Sequence, residues 1–529
     1  MRALRSLCPG PPRFLALALL AGVAAAQPSQ TDAVRFLEQS TFGPNTALID
    51  HVRKVGFAAF IEEQFGLPPS VYPDLPLQPT TAPSTCTGSC IRDNYTMYPL
   101  QVAFFKNALT GQDQLRQRVA LALHEILVVS GLEVTQPSWM GPYLQLLMND
   151  AFGNYRQILQ DITLNPAMGR YLNMAGNNKS APNENYGREI LQLFSIGLNM
   201  LRQDGTVILD SSGTPVPTYN QATVTAFARL FTGWNFATAP APGVPNYKDP
   251  MVLNNANHDT GAKTLLNGIT LPAGRTGAQD LKDGLDNIFQ HQNVGPFIGK
   301  QLIQHLVTSN PSPSYVSRVA AAFNDNGGGT RGDMKAVIRA ILLDPEARNA
   351  TPDASFGHLR EPVFYITSLL RAFDTGPATT DFVLADSYLP TETRMGQDLF
   401  RPASVFSYFP PGLVVHGLGI LGPEFGVYST SSTLARSNFA AEVIYKRMST
   451  TPDRPMGTWL DLSSIEPLAQ SPYRLIDALN GLMLAGNMSP DLRAVLTNAL
   501  ATMTGSDNLT RARRAVYLIA TSPEYQIAR

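Results

Sequence analysis

The stretch "DQLRQRVALALHEILVVS", Asp113 to Ser130, decides the fold. A helix on a protein surface carries one apolar stripe, but Leu115, Val119, Leu121, Leu123, Ile126 and Leu127 surround this one. It is therefore expected to be central and buried. Arg118 and Glu125, seven residues apart, fall on one face of it. Unpaired charges in such a place cost several kcal/mol each, so partners must come from elsewhere, with Glu189 or Arg229 expected to face them. His124 reads as a core histidine satisfied by its neighbours.

Working outward, most of the chain has the same helical period. "YNQATVTAFARLFTGW" (Tyr219 to Trp234), "VGPFIGKQLIQHLV", "MKAVIRAILLDPEAR" and "RARRAVYLIATSPEYQ" each carry an apolar stripe. Three helices run into Asn165-Pro166, Asp344-Pro345 or Ser522-Pro523, where the polar residue can cap a following turn. No fixed period links them, so they are helix corners and not a repeat. Long Pro-, Gly- and Asn-rich segments interrupt the helices at Pro68 to Tyr98, Ala237 to Gly274 and Gly376 to Ser432. The expected architecture is mainly α: an irregular multi-helix bundle with long ordered loops and little or no β-structure. The region 27–529 reads as one large helical unit, with sub-domains conceivable at about 27–235 and 276–529.

Residues 1–26 read as a cleavable signal peptide. Arg2, Arg5 and Arg13 precede the apolar run Phe14 to Ala26, which ends in three alanines before Gln27. Export to the periplasm or medium is the expectation. The formal charge is −1, and three units lower once those arginines are removed. Nucleic acid is not an expected partner on such a balance, and no later run is long and apolar enough to span a bilayer. The remaining cysteines, Cys86 and Cys90 in "TCTGSC", are expected to form a local disulfide in an oxidising compartment.

Taken in order, "RFLEQSTFGPN", "LRQRVALALHEILVVS", "NENYGREILQLFSIG", "PTYNQATVTAFARLFTGW", "HDTGAKTLLNG", "HLREP", "GQDLFRPASVFSYFPPG", "LGPEF" and "ATSPEYQ" resemble the bacterial family catalogued as domain of unknown function 1800. The resemblance runs over about residues 31 to 529. It implies an exported, largely helical protein of a kind sometimes joined to carbohydrate-binding or adhesion modules. It supplies no catalytic assignment.

Candidate chemistry must therefore come from the residues. In "SAPNENYGREILQLFSIGLN", Asn183 is a good N-cap and Glu184 suits the first turn. Asn185, Arg188, Glu189 and Gln192 share one side of that helix, a stripe suited to a fixed hydrogen-bond network, although Glu184 and Arg188 at i,i+4 also suit simple helix pinning. His258, Asp259 and Lys263 in "HDTGAK" form an acid/base candidate or, more plainly, a turn shaped by Asp259 and Gly261. Arg360 and Glu361 in "HLREP" and Glu424 in "LGPEF" stand beside prolines, so they belong at corners. The expected site draws its acids and bases from Glu125, Glu184, Glu189, His258, Asp259 and Glu424. Arg118, Arg188, Arg229, Lys263, Arg360, Glu361 and Asn185 would bind or tune, and Trp139, Trp234, Tyr408 and Phe409 would stack on sugars. No metal and no cofactor is expected, because there is no HExxH and no repeated histidine spacing. The functional expectation is a secreted hydrolase or glycan-processing enzyme using paired carboxylates on an extracellular polymer. Its rival is a non-catalytic binding or assembly protein of the envelope.

Overall fold

In the computed structural model, residues 27–349, 355–373, 375–376, 395–445 and 459–529 are described. Residues 1–26, read above as a signal peptide, and part of the third long loop fall outside them. The described chain is mainly helical, and each of its strands is two residues long. No helix among the described residues is long and apolar enough to cross a membrane.

The central helix spans Gln114–Ile126, and all of its residues are buried. Around it pack the helices Phe57–Gly66, Pro137–Asp150 and Val294–Leu306. Each fully buried aliphatic side chain, such as Leu115, Val119 and Leu123, contributes about 1.5–3 kcal/mol. One cluster of buried apolar side chains runs from Ala33 to Tyr525. The first helix, Gln30–Ser40, packs against Pro472–Leu484 near the other end of the chain.

The helix corners use the polar residue before each proline. Asn165 accepts from Ala167 N, and Ser522 accepts from Tyr525 N at 3.3 Å. Asp344 accepts from Glu346 N at 2.8 Å, there within a turn. Asp333 of the "RGD" triplet caps the helix Met334–Leu342.

The long loops are tied to the central helix. Asp113, just ahead of it, leaves the helix uncapped and instead accepts from Ser70 N at 2.6 Å. Cys86 and Cys90 are joined by a disulfide further along that loop. At the other end, Gly131 N donates to Phe400 O at 2.8 Å and Ser130 Oγ to Pro402 O at 2.7 Å. A Cβ on Gly131 would lie 2.9 Å from Phe400 O, so the two segments meet this closely only because residue 131 is glycine.

The backbone pair His358–Leu359 with Ile527–Ala528 is antiparallel and holds the "HLREP" segment against the end of the chain. Arg360 N donates to Gln526 O at 2.7 Å, and its Nε donates to Tyr525 O at 2.8 Å. Glu361 then has an extended backbone (φ −60°, ψ 156°) and Pro362 begins the helix Pro362–Ala372.

His124 is a buried core histidine, with Nε2 3.2 Å from Val129 O and Nδ1 without a partner among the described residues. Burial lowers its pKa from 6.5 to about 4. Between those values the unfolded chain holds the proton and the folded chain does not, so stability falls as pH drops through this window. At about 1.4 kcal/mol per pH unit, acidification from pH 6.5 to 5 should cost about 2 kcal/mol through this group. Urea unfolding of wild type and His124→Gln at both pH values checks this: the wild type should lose about that much more than the variant.

Candidate active site

Glu125 sits in the last turn of the central helix, His305 in the last turn of Val294–Leu306, and Glu361 immediately ahead of Pro362–Ala372. The three helix ends meet. His305 Nδ1 lies 3.1 Å from Glu125 Oε2. Gln397 Nε2 donates to Glu125 Oε1 at 3.3 Å and also, closely, to Glu361 Oε2. The orientation of that amide is set by Val363 N, which donates to Gln397 Oε1 at 3.1 Å. One ligand atom from each of Glu125, His305 and Glu361 lies within 4.8 Å of the others.

Burial pushes the Glu125 carboxyl up to about 7. Glu361 is raised well above the carboxylate range, first by burial and then by the charge of Glu125, to which it hydrogen-bonds. Burial and the neighbouring negative charge both work against ionising the two carboxyls together. Burial also lowers the His305 pKa, against the pull of Glu361 and Glu424. Arg118 anchors the arrangement from behind: its Nη2 donates to His305 O at 2.8 Å and its guanidinium lies 3.4 Å from the centre of the Phe364 ring.

Two members of the cluster, Glu125 and His305, line a cavity of about 30 Å³ together with Gln301, Ser407, Phe409 and Glu424, among others, and Glu361 stands behind them. Glu424 accepts from Ser309 Oγ at 3.2 Å and lies 3.5 Å from His358 Nδ1. Ser407 is buried with a left-handed backbone (φ 64°), a strained state for serine, and its Oγ has no partner among the described residues. Gln301 Nε2 is likewise unpartnered. A larger cavity of about 230 Å³ lies beside Glu38, Arg360 and Arg529. There Arg360 is paired with Glu38 and stacked on Tyr525, an arrangement that holds helices together.

The structure thus brings together Glu125, Glu361, Glu424 and Arg118 from the expected set. The others lie elsewhere. The helix expected from Asn183 starts at Asn185, with Glu184 in the capping position and Asn183 Oδ1 accepting from Asn185 N at 2.9 Å. Glu184 is held by Arg188 at 2.9 Å and by Gln221 and Thr225, and these hydrogen bonds, Gln221's first, keep its pKa low. Asn185 donates to Asn173. Glu189 is half-buried, with its pKa raised by burial, beside Tyr171 and Tyr219 and not beside Arg118. The expectation that Glu189 or Arg229 faces the central helix is corrected: His305 and Glu361 take that place.

Arg229 instead grips Asp259 through two bonds of 2.8 and 2.9 Å. His258 and Lys263 are buried against Asp280, at 3.2 and 2.8 Å, so they face a carboxylate and not a cleft. This is a latch between the loop and the helix Gly277–Phe289. Trp139 is buried in a stack with Tyr247 at 4.4 Å, Trp234 is buried, and Tyr408 OH donates to Asp398 O. Of the four proposed stacking aromatics, Phe409 lines the cavity. His305, Gln397, His358, Gln301 and Ser407 did not figure among the expected residues. The one available signal was Gln301 and His305 at i,i+4 in an otherwise apolar helix.

Fold and site define an α-helical protein with two buried, neighbouring carboxyls and a histidine beside a small pocket. The family model described as "Protein of unknown function (DUF1800)" matches residues 35–527, and the chain belongs to that family. No curated protein and no solved structure matches it.

The latch and the surface pair should behave differently on substitution. Asp280→Ala leaves Lys263 buried without its carboxylate and should cost about 3–5 kcal/mol. Glu184→Gln, at an exposed pair, should cost no more than about 1 kcal/mol. Denaturant unfolding of the two variants gives the comparison.

Proposed function

We propose that the cavity at Glu125, His305 and Glu424 is the active site of an exported hydrolase acting on an extracellular polymer. One observation carries the reading: ionisable groups from distant segments converge beside a cavity, while Glu184, Asp259 and Lys263 are each paired with an opposite charge. A cavity of about 30 Å³ has room for one or two waters and not for a sugar ring. The scissile bond would therefore enter from the rim, where Phe406 lines the cavity and is 41% exposed. Such an apolar lip suits the faces of a glycan chain.

The carboxyls of Glu125 and Glu361 are in contact. Carboxylates that straddle a glycosidic bond stand about 5–9.5 Å apart. The pair therefore acts on one side of the bond, holding and activating water, and Glu424, from a separate segment, is the group placed to protonate the leaving atom. The rival reading, an envelope binding or assembly protein, draws on the structural pairing of Glu184, Asp259, His258 and Lys263.

Glu361→Gln and Glu125→Gln should each lower turnover on a panel of extracellular polymers by about 10²–10⁴-fold, with helical content unchanged, while Glu184→Gln leaves it intact. Activity measured beside circular dichroism checks this. Folded Glu361→Gln protein with undiminished turnover would overturn the assignment, and a wild type inert on every polymer would favour the assembly reading.

A further inference from the structure

We propose that Glu125, His305 and Glu361 bind one divalent cation of the zinc or manganese class beside the cavity that Glu125 and His305 line. The inference deepens the hydrolase reading by giving its site a metal, though ion binding itself stands on the geometry alone.

The donor set is two carboxylates and one imidazole, each from the end of a different helix, with ligand atoms within 4.8 Å of one another. An ion with bonds of about 2.0–2.2 Å holds ligand atoms roughly 3–4 Å apart, so a small inward movement completes the triangle. Carboxylate with imidazole suits zinc and manganese, whereas magnesium and calcium prefer oxygen alone.

The surroundings are those of a metal centre. Gln397 holds Glu125 Oε1 and Glu361 Oε2, which leaves Glu125 Oε2 beside the His305 ring and the second Glu361 oxygen for the ion. Arg118 fixes the backbone of His305 through its carbonyl. Outer groups of this kind orient ligands and are part of how a site selects its ion.

Room and unmet hydrogen bonds point the same way. The cavity lined by Glu125 and His305 accommodates one or two waters, so an ion held by these two and Glu361 would keep an open coordination position on the cavity side. Ser407, 5% exposed, lines that cavity with its Oγ unpartnered, and Gln301 Nε2 lines it too. A water on the ion would supply their missing partner. It would also be a far stronger acid than free water and so deliver hydroxide near neutral pH.

The test uses the full mature chain without a histidine tag, stripped with EDTA and titrated calorimetrically with zinc, manganese, magnesium and calcium chlorides. Wild type should bind one equivalent of zinc or manganese, with a rise in Tm, and magnesium and calcium should bind at least tenfold more weakly. His305→Ala should weaken binding by at least 100-fold; if it does not fold, His305→Asn makes the same comparison. No stoichiometric binding by wild type, or equal binding by folded variants, overturns the proposal. A bound ion without turnover on any polymer upholds the ion site and removes the hydrolase reading. Turnover by stripped, ion-free protein upholds the hydrolase reading and overturns the ion's part in it.

Discussion

The helix Gln114–Ile126 carries Arg116, Arg118, His124 and Glu125 into the buried interior. Removing those groups from water costs several kcal/mol apiece, and the rest of the structure is arranged to offset it. Arg116 donates to Met148 O and lies over the Phe152 ring. Arg118 uses the carbonyl of His305 and the ring of Phe364. His124 stays neutral. Glu125 has no facing guanidinium in contact and draws instead on His305, Gln397 and Glu361. That difference sets it apart: Arg116 and Arg118 lean on backbone carbonyls and aromatic rings, burial disfavours the charged form of His124, and Glu125 gathers further titratable groups around itself.

The helical framework was legible because it depends on local periodicity. An apolar pattern on every side of residues 115–127 has one reading, and prolines after Asn165, Asp344 and Ser522 mark corners whatever surrounds them. Local pairs were equally open to inspection: Glu184 with Arg188 at i,i+4, Asp259 shaping the turn at Gly261, and Glu361 and Glu424 at corners beside prolines. The disulfide between Cys86 and Cys90 follows from their proximity in the chain.

The site was only half legible, for a reason that lies in its construction. Glu125 and Glu361 stand out because a charge in an apolar or proline-bound setting is unusual. His305 does not, since a histidine at the end of an apolar helix most often fills space. What makes it part of a centre is the arrival of two other helix ends, and no local pattern encodes that meeting. The same limit explains Lys263 and His258. Their types suggest chemistry, but Asp280, with which they are buried, lies on another element and turns them into a latch.

Arg360 and Glu361 show how the framework and the site are joined. On an extended chain successive side chains face opposite ways. Arg360 therefore reaches Glu38 of the first helix while its backbone and Nε hold Gln526 and Tyr525 at the other end of the chain. Glu361 is thereby turned the other way, toward Glu125. The position of one carboxyl of the pair is thus set by the docking of residues 525–528 and of the helix Gln30–Ser40. A segment that holds the two ends of the chain against one another is thus also the one that brings the Glu361 carboxyl to Glu125 and His305.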